Sequence, residues 1–266
     1  MHAQAIELTP DIRVMRGMTQ WMLKLFGLLA LATVLLLVSR SSLFSLKSIV
    51  VEGDTAHHNP LTLRANVAPR LSGNLFTVDL AQARQTFEAQ PWVRKAVVKR
   101  MFPNQLKVTL QEHDPVGLWG RSSGQGDAQM INTFGEVFEA NPGEVDTEAM
   151  PKFQGPNQQS ALVLAMYREL SKVFKPLELD VEELELSGRG SWRAVLDSGT
   201  VLELGRGDIA QVLERTRVFL STATQAAGQW GRKLHKDIES ADLRYSNGYA
   251  IRLKGVGTVD ASARKK

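Results

Sequence analysis

The sequence has no cysteine in 266 residues, which removes disulfides, thiolate nucleophiles, iron–sulfur clusters and cysteine-type zinc sites together. Compartment stays open, because a cysteine-free chain suits cytosol and periplasm equally. An excess of one charge is also lacking. Lys and Arg number 32 against 28 Asp and Glu, a formal +4 with a pI near 9.4, which is too mild for this length to point to nucleic acid. The usual catalytic signatures are missing as well: no Gly-x-Ser-x-Gly, no Walker A loop and no dinucleotide fingerprint. His57 and His58 are adjacent, but His2, His113 and His235 are scattered and lack the spacing of a metal site. Glu182, Glu183 and Glu185 beside Asp180 alternate along a strand-like run, the pattern of a solvated face rather than an acid/base pair. What is present, 43% hydrophobic residues, is enough for one large domain or two modest ones.

Long apolar runs are scarce too, and the one that exists decides the organisation. "WMLKLFGLLALATVLLLV", residues 21–38, carries a single charge, Lys24, near one end, where its stem can snorkel. As a helix it reaches roughly 27 Å, close to a hydrocarbon core. A cleaved signal peptide and a buried soluble helix are the competing readings. The run exceeds a typical signal h-region and "VSRSSLFS" after it has no small-x-small cleavage site, so an uncleaved transmembrane anchor is expected. Arg13, Arg16 and Lys24 precede or enter the run and Arg40 and Lys47 follow it; the imbalance leans towards an inside N-terminus. The expected organisation is a tail over 1–20, the span over 21–38, a connector over 39–45 and globular chain beyond.

"LKSIVVEG" (46–53) reads as a strand and turn. "HHNPLTLRANVAPRL" (57–71) has Asn59-Pro60 as a helix start, with Leu61, Leu63 and Val67 at helical spacing and Pro69 as its stop. In "VDLAQARQTFEAQPW" (78–92), Asp79 caps a helix with Leu80, Ala83 and Phe87 on one face. Two β-rich runs follow, 93–100 and 105–112, around the turn "MFPN". In the second, Leu106, Val108 and Leu110 alternate with Lys107, Thr109 and Gln111. Arg94, Lys95, Lys99 and Arg100 could suggest phosphate binding, but no aromatics interleave with them, and a solvated sheet face is expected. The unit is β-α-α-β-β over 46–115.

The second half, 116–255, is read as a mostly antiparallel sheet with helices packed on one face, giving an α+β fold class overall. "MINTFGEVFEA" looks like a hairpin. "NQQSALVLAMYRELSKVF" (157–174) is a helix with Leu162, Ala165, Met166, Leu170 and Val173 towards the core. "VEELELS", "SWRAVLD" and "TVLELG" are strands, Asp208 caps the helix "IAQVLERTRVFLSTATQ", and Asn247-Gly248 joins a last hairpin. The Arg-Gly-Asp within "GRGD" (205–208) is accounted for as turn and cap rather than adhesion. A polar tail closes the chain over 256–266.

This order of elements, opening with "LKSIVVEG" and closing with "PWVRKAVVKRMFPNQLKVTLQEHDPVGLW", resembles the POTRA domain of the FtsQ/DivIB family of bacterial division proteins. "INTFGEVF", "MPKFQGP", "LELGRGD" and "ADLRYSNGYAI" are similar to landmarks of that family's second, β domain, so the likeness runs from the anchor to about Gly255. The resemblance implies a β domain that continues the POTRA sheet. It also implies an essential bitopic scaffold of the inner membrane, with its N-terminus cytoplasmic and its domains periplasmic. Such a scaffold binds FtsB and FtsL, links early and late division proteins at the septum, and helps control septal peptidoglycan synthesis. No cofactor, metal, nucleic acid, small-molecule substrate or enzymatic activity is implied. The implied partner-binding residues are Arg189, Arg244, Tyr245, Ser246, Gly248 and Leu253, the last standing where enterobacterial members carry Trp. The hairpin also invites that role on its own terms, because a C-terminal strand at a sheet edge leaves backbone groups for strand addition. The rival reading, a POTRA module of protein transport, normally leads into a barrel of many amphipathic strands, and no such series follows here. An anchored periplasmic enzyme is the third reading.

Overall fold

The computed structural model describes residues 10–39, 44–57, 60–120, 128–229, 238–245 and 247–254. Expectations for His2, His58 and His235, for the start of the N-terminal tail, for most of the 39–45 connector, for Ser246 and for the 256–266 tail fall outside them.

Helix α1, Pro10–Ser39, starts well before Trp21. Proline opens it where its missing N–H is no loss. Within it, Val14–Val38 is a 25-residue stretch long and apolar enough to cross a membrane, and none of it is buried against protein. Thr19 and Thr33 donate their hydroxyls to the carbonyls of Met15 and Leu29, one turn back, so neither leaves an unsatisfied polar group on an apolar helix. The contacts of the chain divide it into two units, 1–111 and 112–266.

In the first unit, β1 (Ser48–Gly53), α2 (Pro60–Val67), α3 (Leu80–Glu88), β2 (Val93–Met101) and β3 (Gln105–Glu112) follow in order. The sheet order is β1-β3-β2. β1 runs parallel to β3 from Ser48↔Gln105 to Gly53↔Leu110. Gly53 closes this ladder at φ 101°, where a Cβ would stand 2.3 Å from the Leu110 carbonyl oxygen; only glycine fits. Asp79 caps α3 by accepting from the amides of Ala81 and Gln82 at 2.8 and 3.1 Å. Leu63 and Val67 of α2 and Phe87 of α3 pack on Val93, Ala96, Val108 and Leu110, the inward set that the alternation of β3 requires.

The second unit contains β4 (Pro115–Trp119), β5 (Ala128–Asn132), β6 (Val137–Ala140), β7 (Lys152–Gln154), α4 (Ser160–Phe174), β8 (Val181–Leu186), β9 (Ser191–Leu196), β10 (Val201–Arg206), α5 (Ile209–Gln229), β11 (Ile238–Asp242) and β12 (Ala250–Leu253). They form one nine-stranded sheet, β12-β11-β10-β9-β8-β7-β4-β5-β6. Among the described residues of this sheet, β4/β7, β7/β8 and β10/β11 pair in parallel and the other neighbouring strands antiparallel, so the sheet is mostly antiparallel. Among the described residues the strands form two sheets, of three and nine strands, where the family likeness implied a single continued one.

Helices α4 and α5 share one hydrophobic core with this sheet. The stripe of α4 differs from expectation by a rotation of about one position. Val163, Met166, Leu170 and Phe174 are buried, while Leu162 is 40% exposed, because spacings of three and four place 163, 166, 170 and 174 on one line of the helix. Strands β4 and β7 were not legible as strands. Gly117 within β4 admits the Phe153 ring of β7, since a Cβ there would lie 2.3 Å from Phe153 Cε2. Asn132, fully buried, builds the β5–β6 turn: its Oδ1 accepts from the amides of Phe134 and Glu136, and its Nδ2 reaches Glu136 Oε2 and His113 Nδ1.

Candidate functional site

The end of the chain supplies the outermost strand. β12 pairs antiparallel with β11 from Asp242↔Ala250 to Ile238↔Leu253, and among the described residues no strand lies on its other side. An edge of this kind carries a row of backbone donors and acceptors free for another chain. The hairpin is held in place from within. Tyr249 donates its hydroxyl to Thr222 Oγ1 at 2.8 Å and meets the Phe219 ring edge-on, centroids 5.1 Å apart. Leu253 is half-buried against the same core. By the alternation of a strand, Ile251 shares the face of Leu253, and at the edge it remains 36% exposed.

Beside the hairpin lies a groove of about 520 Å³ lined by Ser187, Arg189, Ser191, Gly205, Arg206, Arg215 and Arg244. Arg189 comes from the β8–β9 turn, Arg206 from the last position of β10, Arg215 from α5 and Arg244 from just beyond β11. The loop that brings the second and third together is the "GRGD" turn. Asp208 accepts from the Gln211 amide while Gln211 Oε1 accepts from the Asp208 amide, a reciprocal cap, and Trp192 Nε1 donates to the Gly207 carbonyl. Arg215 Nη2 donates to the Arg206 carbonyl, while its Nε is buried without a hydrogen-bond partner.

Asp242 accepts three bonds from Arg244: from its amide at 3.0 Å, from Nε at 2.9 Å and from Nη2 at 2.6 Å. The side-chain bonds from this guanidinium hold the Asp242 carboxyl below the usual carboxylate range against a smaller opposing effect of burial, and the same pair raises Arg244 further. Four arginines therefore line one open groove, and no Asp or Glu is among its lining residues, although Asp242 pairs with the Arg244 guanidinium beside it. Such a cluster suits carboxylates, which accept paired N–H bonds from guanidinium forks.

Of the residues singled out in the sequence, Arg189 and Arg244 meet at this groove. Tyr245 is 61% exposed next in chain to Arg244. Gly248 is exposed, with open space around its Cα hydrogens. Leu253 turns towards the core instead. Arg206 and Arg215 were missed, the first because the Arg-Gly-Asp run was read only as turn and cap. Arg215 lies nine residues further on, in the second turn of α5. The two described histidines stack on aromatic rings, His57 on Trp92 and His113 on Phe138. Among the described residues no three metal-ligating side chains converge.

An apolar N-terminal helix, a β-α-α-β-β unit and a mixed sheet with an open terminal edge define a POTRA-bearing chain of the single-helix class. Residues 44–113 match the POTRA domain of FtsQ type, and residues 118–244 match the C-terminal domain described as cell division protein FtsQ/DivIB. The chain belongs to the FtsQ/DivIB family of cell division proteins. It is 44% identical over 214 residues to cell division protein FtsQ of Burkholderia pseudomallei, covering 80% of this chain and 81% of that protein. The FtsQ proteins of Thiomonas arsenitoxydans and Bordetella pertussis are 37% and 38% identical, covering 94% and 90% of this chain and 90% and 92% of theirs. The chain therefore has a role in cell division.

Proposed function

We propose that the protein is a non-enzymatic, bitopic scaffold of the division complex in the inner membrane, with its N-terminus cytoplasmic and its POTRA domain (46–115) and β domain (116–255) periplasmic. Its β domain receives an extended segment of FtsB by strand addition to β12, with FtsL in the same assembly. In doing so it links early and late division proteins at the septum and helps control septal peptidoglycan synthesis. The observation that carries this reading is the placement of the terminal strand β12 at the open edge of the nine-stranded sheet, flanked by a groove of four arginines. Main-chain pairing supplies affinity in such a mode, and flanking side chains supply choice. Arg189 and Arg244, joined by Arg206 and Arg215, engage carboxylates of the incoming segment. Tyr245 is its aromatic anchor, Ser246 and Gly248 are further partner-binding positions, and Leu253 supports the strand from the core side. A single membrane helix confines these surfaces to the membrane plane and raises their effective concentration.

The test is capture of the periplasmic part of FtsB by the full chain in detergent. Tyr245→Ala is expected to weaken binding by about 2 kcal/mol or more, roughly 30-fold, as loss of a hot spot does. Unchanged affinity would reject this assignment of the hairpin.

A further inference from the structure

The end of the first unit where its chain arrives from α1 carries an exposed aromatic cluster. Phe76 lies between Phe44 and Phe102, with ring centroids 4.8 and 5.9 Å away. Phe76 is 45% exposed and Phe102 67%. Such exposure of large rings on a small unit marks a contact surface.

Topology explains why these three meet. Because β1 runs parallel to β3 and its first residue pairs with Gln105, the β2–β3 turn bearing Phe102 must lie at the end where β1 begins. The turn before α3 is fastened to the same end. The Leu75 amide donates to the Phe44 carbonyl at 2.8 Å, and the Lys47 amide donates to the Asn104 carbonyl at 2.9 Å. Arg100 donates from Nε to the Leu75 carbonyl at 2.6 Å and from Nη2 to the Val78 carbonyl at 2.9 Å. The rings are thus presented by three cross-linked segments rather than by a loose loop.

We propose that this aromatic end seats on the surface of the bilayer that α1 crosses, with Phe76 and Phe102 entering the headgroup boundary and Lys47 and Lys99 facing anionic lipid phosphates. The inference rests on reading Val14–Val38 as a membrane span. Phe44 follows Ser39, the last residue of α1, by five residues, so the covalent tether holds it within about 18 Å of the helix end. Charge agrees: residues 44–48, 70–78 and 97–107, the segments that meet here, contain no Asp or Glu. Basic side chains near the surface are drawn to an anionic leaflet, and Phe side chains on an exposed apolar face bury at the boundary between headgroups and acyl chains. Arg100 contributes by fastening the cluster rather than by meeting lipid, since its guanidinium is committed to backbone carbonyls.

The absence of cysteine makes the test direct, because a single introduced cysteine takes a spin label without background. The full chain is reconstituted into vesicles of phosphatidylethanolamine and phosphatidylglycerol, with labels at Ser72→Cys and Asn104→Cys beside the cluster. Asp54→Cys, at the opposite end of β1, is the aqueous reference, and Leu29→Cys reports the span. Labels at 72 and 104 are expected to be shielded from a water-soluble nickel complex relative to 54. That shielding is expected to be lost in the Phe76→Ser/Phe102→Ser background and reduced in vesicles without phosphatidylglycerol. Labels at 72 and 104 as open to nickel as the label at 54, with 29 in hydrocarbon, overturn the proposal and leave the span intact, and they would point to a protein partner for the rings. A label at 29 in water overturns the span itself, and the tether argument with it.

Discussion

Arg244 and Asp242 stand two residues apart at the root of the last hairpin, and their pairing gives the candidate docking site a pH signature. The folded Asp242 carboxyl lies below its ordinary value, chiefly through the side-chain bonds from Arg244. A carboxylate depressed by folding contributes stability that is fully present above its unfolded value and is lost as pH falls through the folded one. Asp242→Asn is therefore expected to unfold more easily than the parent at about pH 6, with the difference shrinking as pH falls to about 3 and below, near the unfolded carboxylate range. Urea midpoints of both proteins across that range check it, and a difference independent of pH would reject the pair as its source. The same substitution releases Arg244 towards the groove, so it separates stability from docking: FtsB capture is expected to survive Asp242→Asn and to weaken in Arg244→Ala. At this scale the sequence was partly legible. Arg189, Arg244 and Tyr245 could be picked out, whereas Arg206 and Arg215 could not, because a site assembled from a strand end and a helix a few residues later has no spacing signature of its own. The family match ends at Arg244, so the role of the hairpin after it is argued from its place in the sheet.

Elements were legible where pattern and propensity agree. β3 alternates cleanly, Asp79 caps α3 as its side chain requires, and Asn247-Gly248 sits between β11 and β12. They were illegible where packing overrides propensity. β4 opens on proline and contains Gly117, and β7 is three residues between Pro151 and Gly155, so neither reads as a strand by composition. Both exist because they fill the centre of the sheet, joining β5–β6 to β8, and the missing Cβ of Gly117 is what lets Phe153 lie there. Gly117→Ala brings a methyl group to 2.3 Å from Phe153 Cε2 and 2.6 Å from the Pro151 carbonyl. Overpacking of this kind is expected to destabilise by about 1–3 kcal/mol. Combining it with Phe153→Leu, which trims the ring, is expected to cost less than the sum of the two single changes, as coupled neighbours do. Urea unfolding of the four proteins forms the cycle; strict additivity would mean that the two residues do not share this space.

At the scale of the molecule, two hydrophobic cores are built from separate residues. One gathers α2, α3 and the three-stranded sheet around Phe87 and Val108; the other gathers α4, α5 and the nine-stranded sheet around Phe153, Leu170 and Trp192. A core that closes on its own residues loses its stability on its own. Phe87→Ala removes a fully buried ring from the first, and truncations of this size cost about 3–5 kcal/mol. The expected consequence is faster amide exchange throughout α2, α3 and β1–β3, with exchange in α4, α5 and β8–β11 unchanged. Leu170→Ala, equally buried in the second core, should do the reverse at about 2–5 kcal/mol. The proposed docking edge rests on the second core, against which Tyr249 and Leu253 pack. FtsB capture should therefore survive Phe87→Ala at temperatures where the first unit is loosened, and should fail along with α5 in Leu170→Ala. Hydrogen exchange read in both variants, with and without the FtsB segment, decides it. Accelerated exchange spreading across both sheets from either substitution would mean that the chain folds as one cooperative body, and that the proposed docking edge is tied to the state of the first unit.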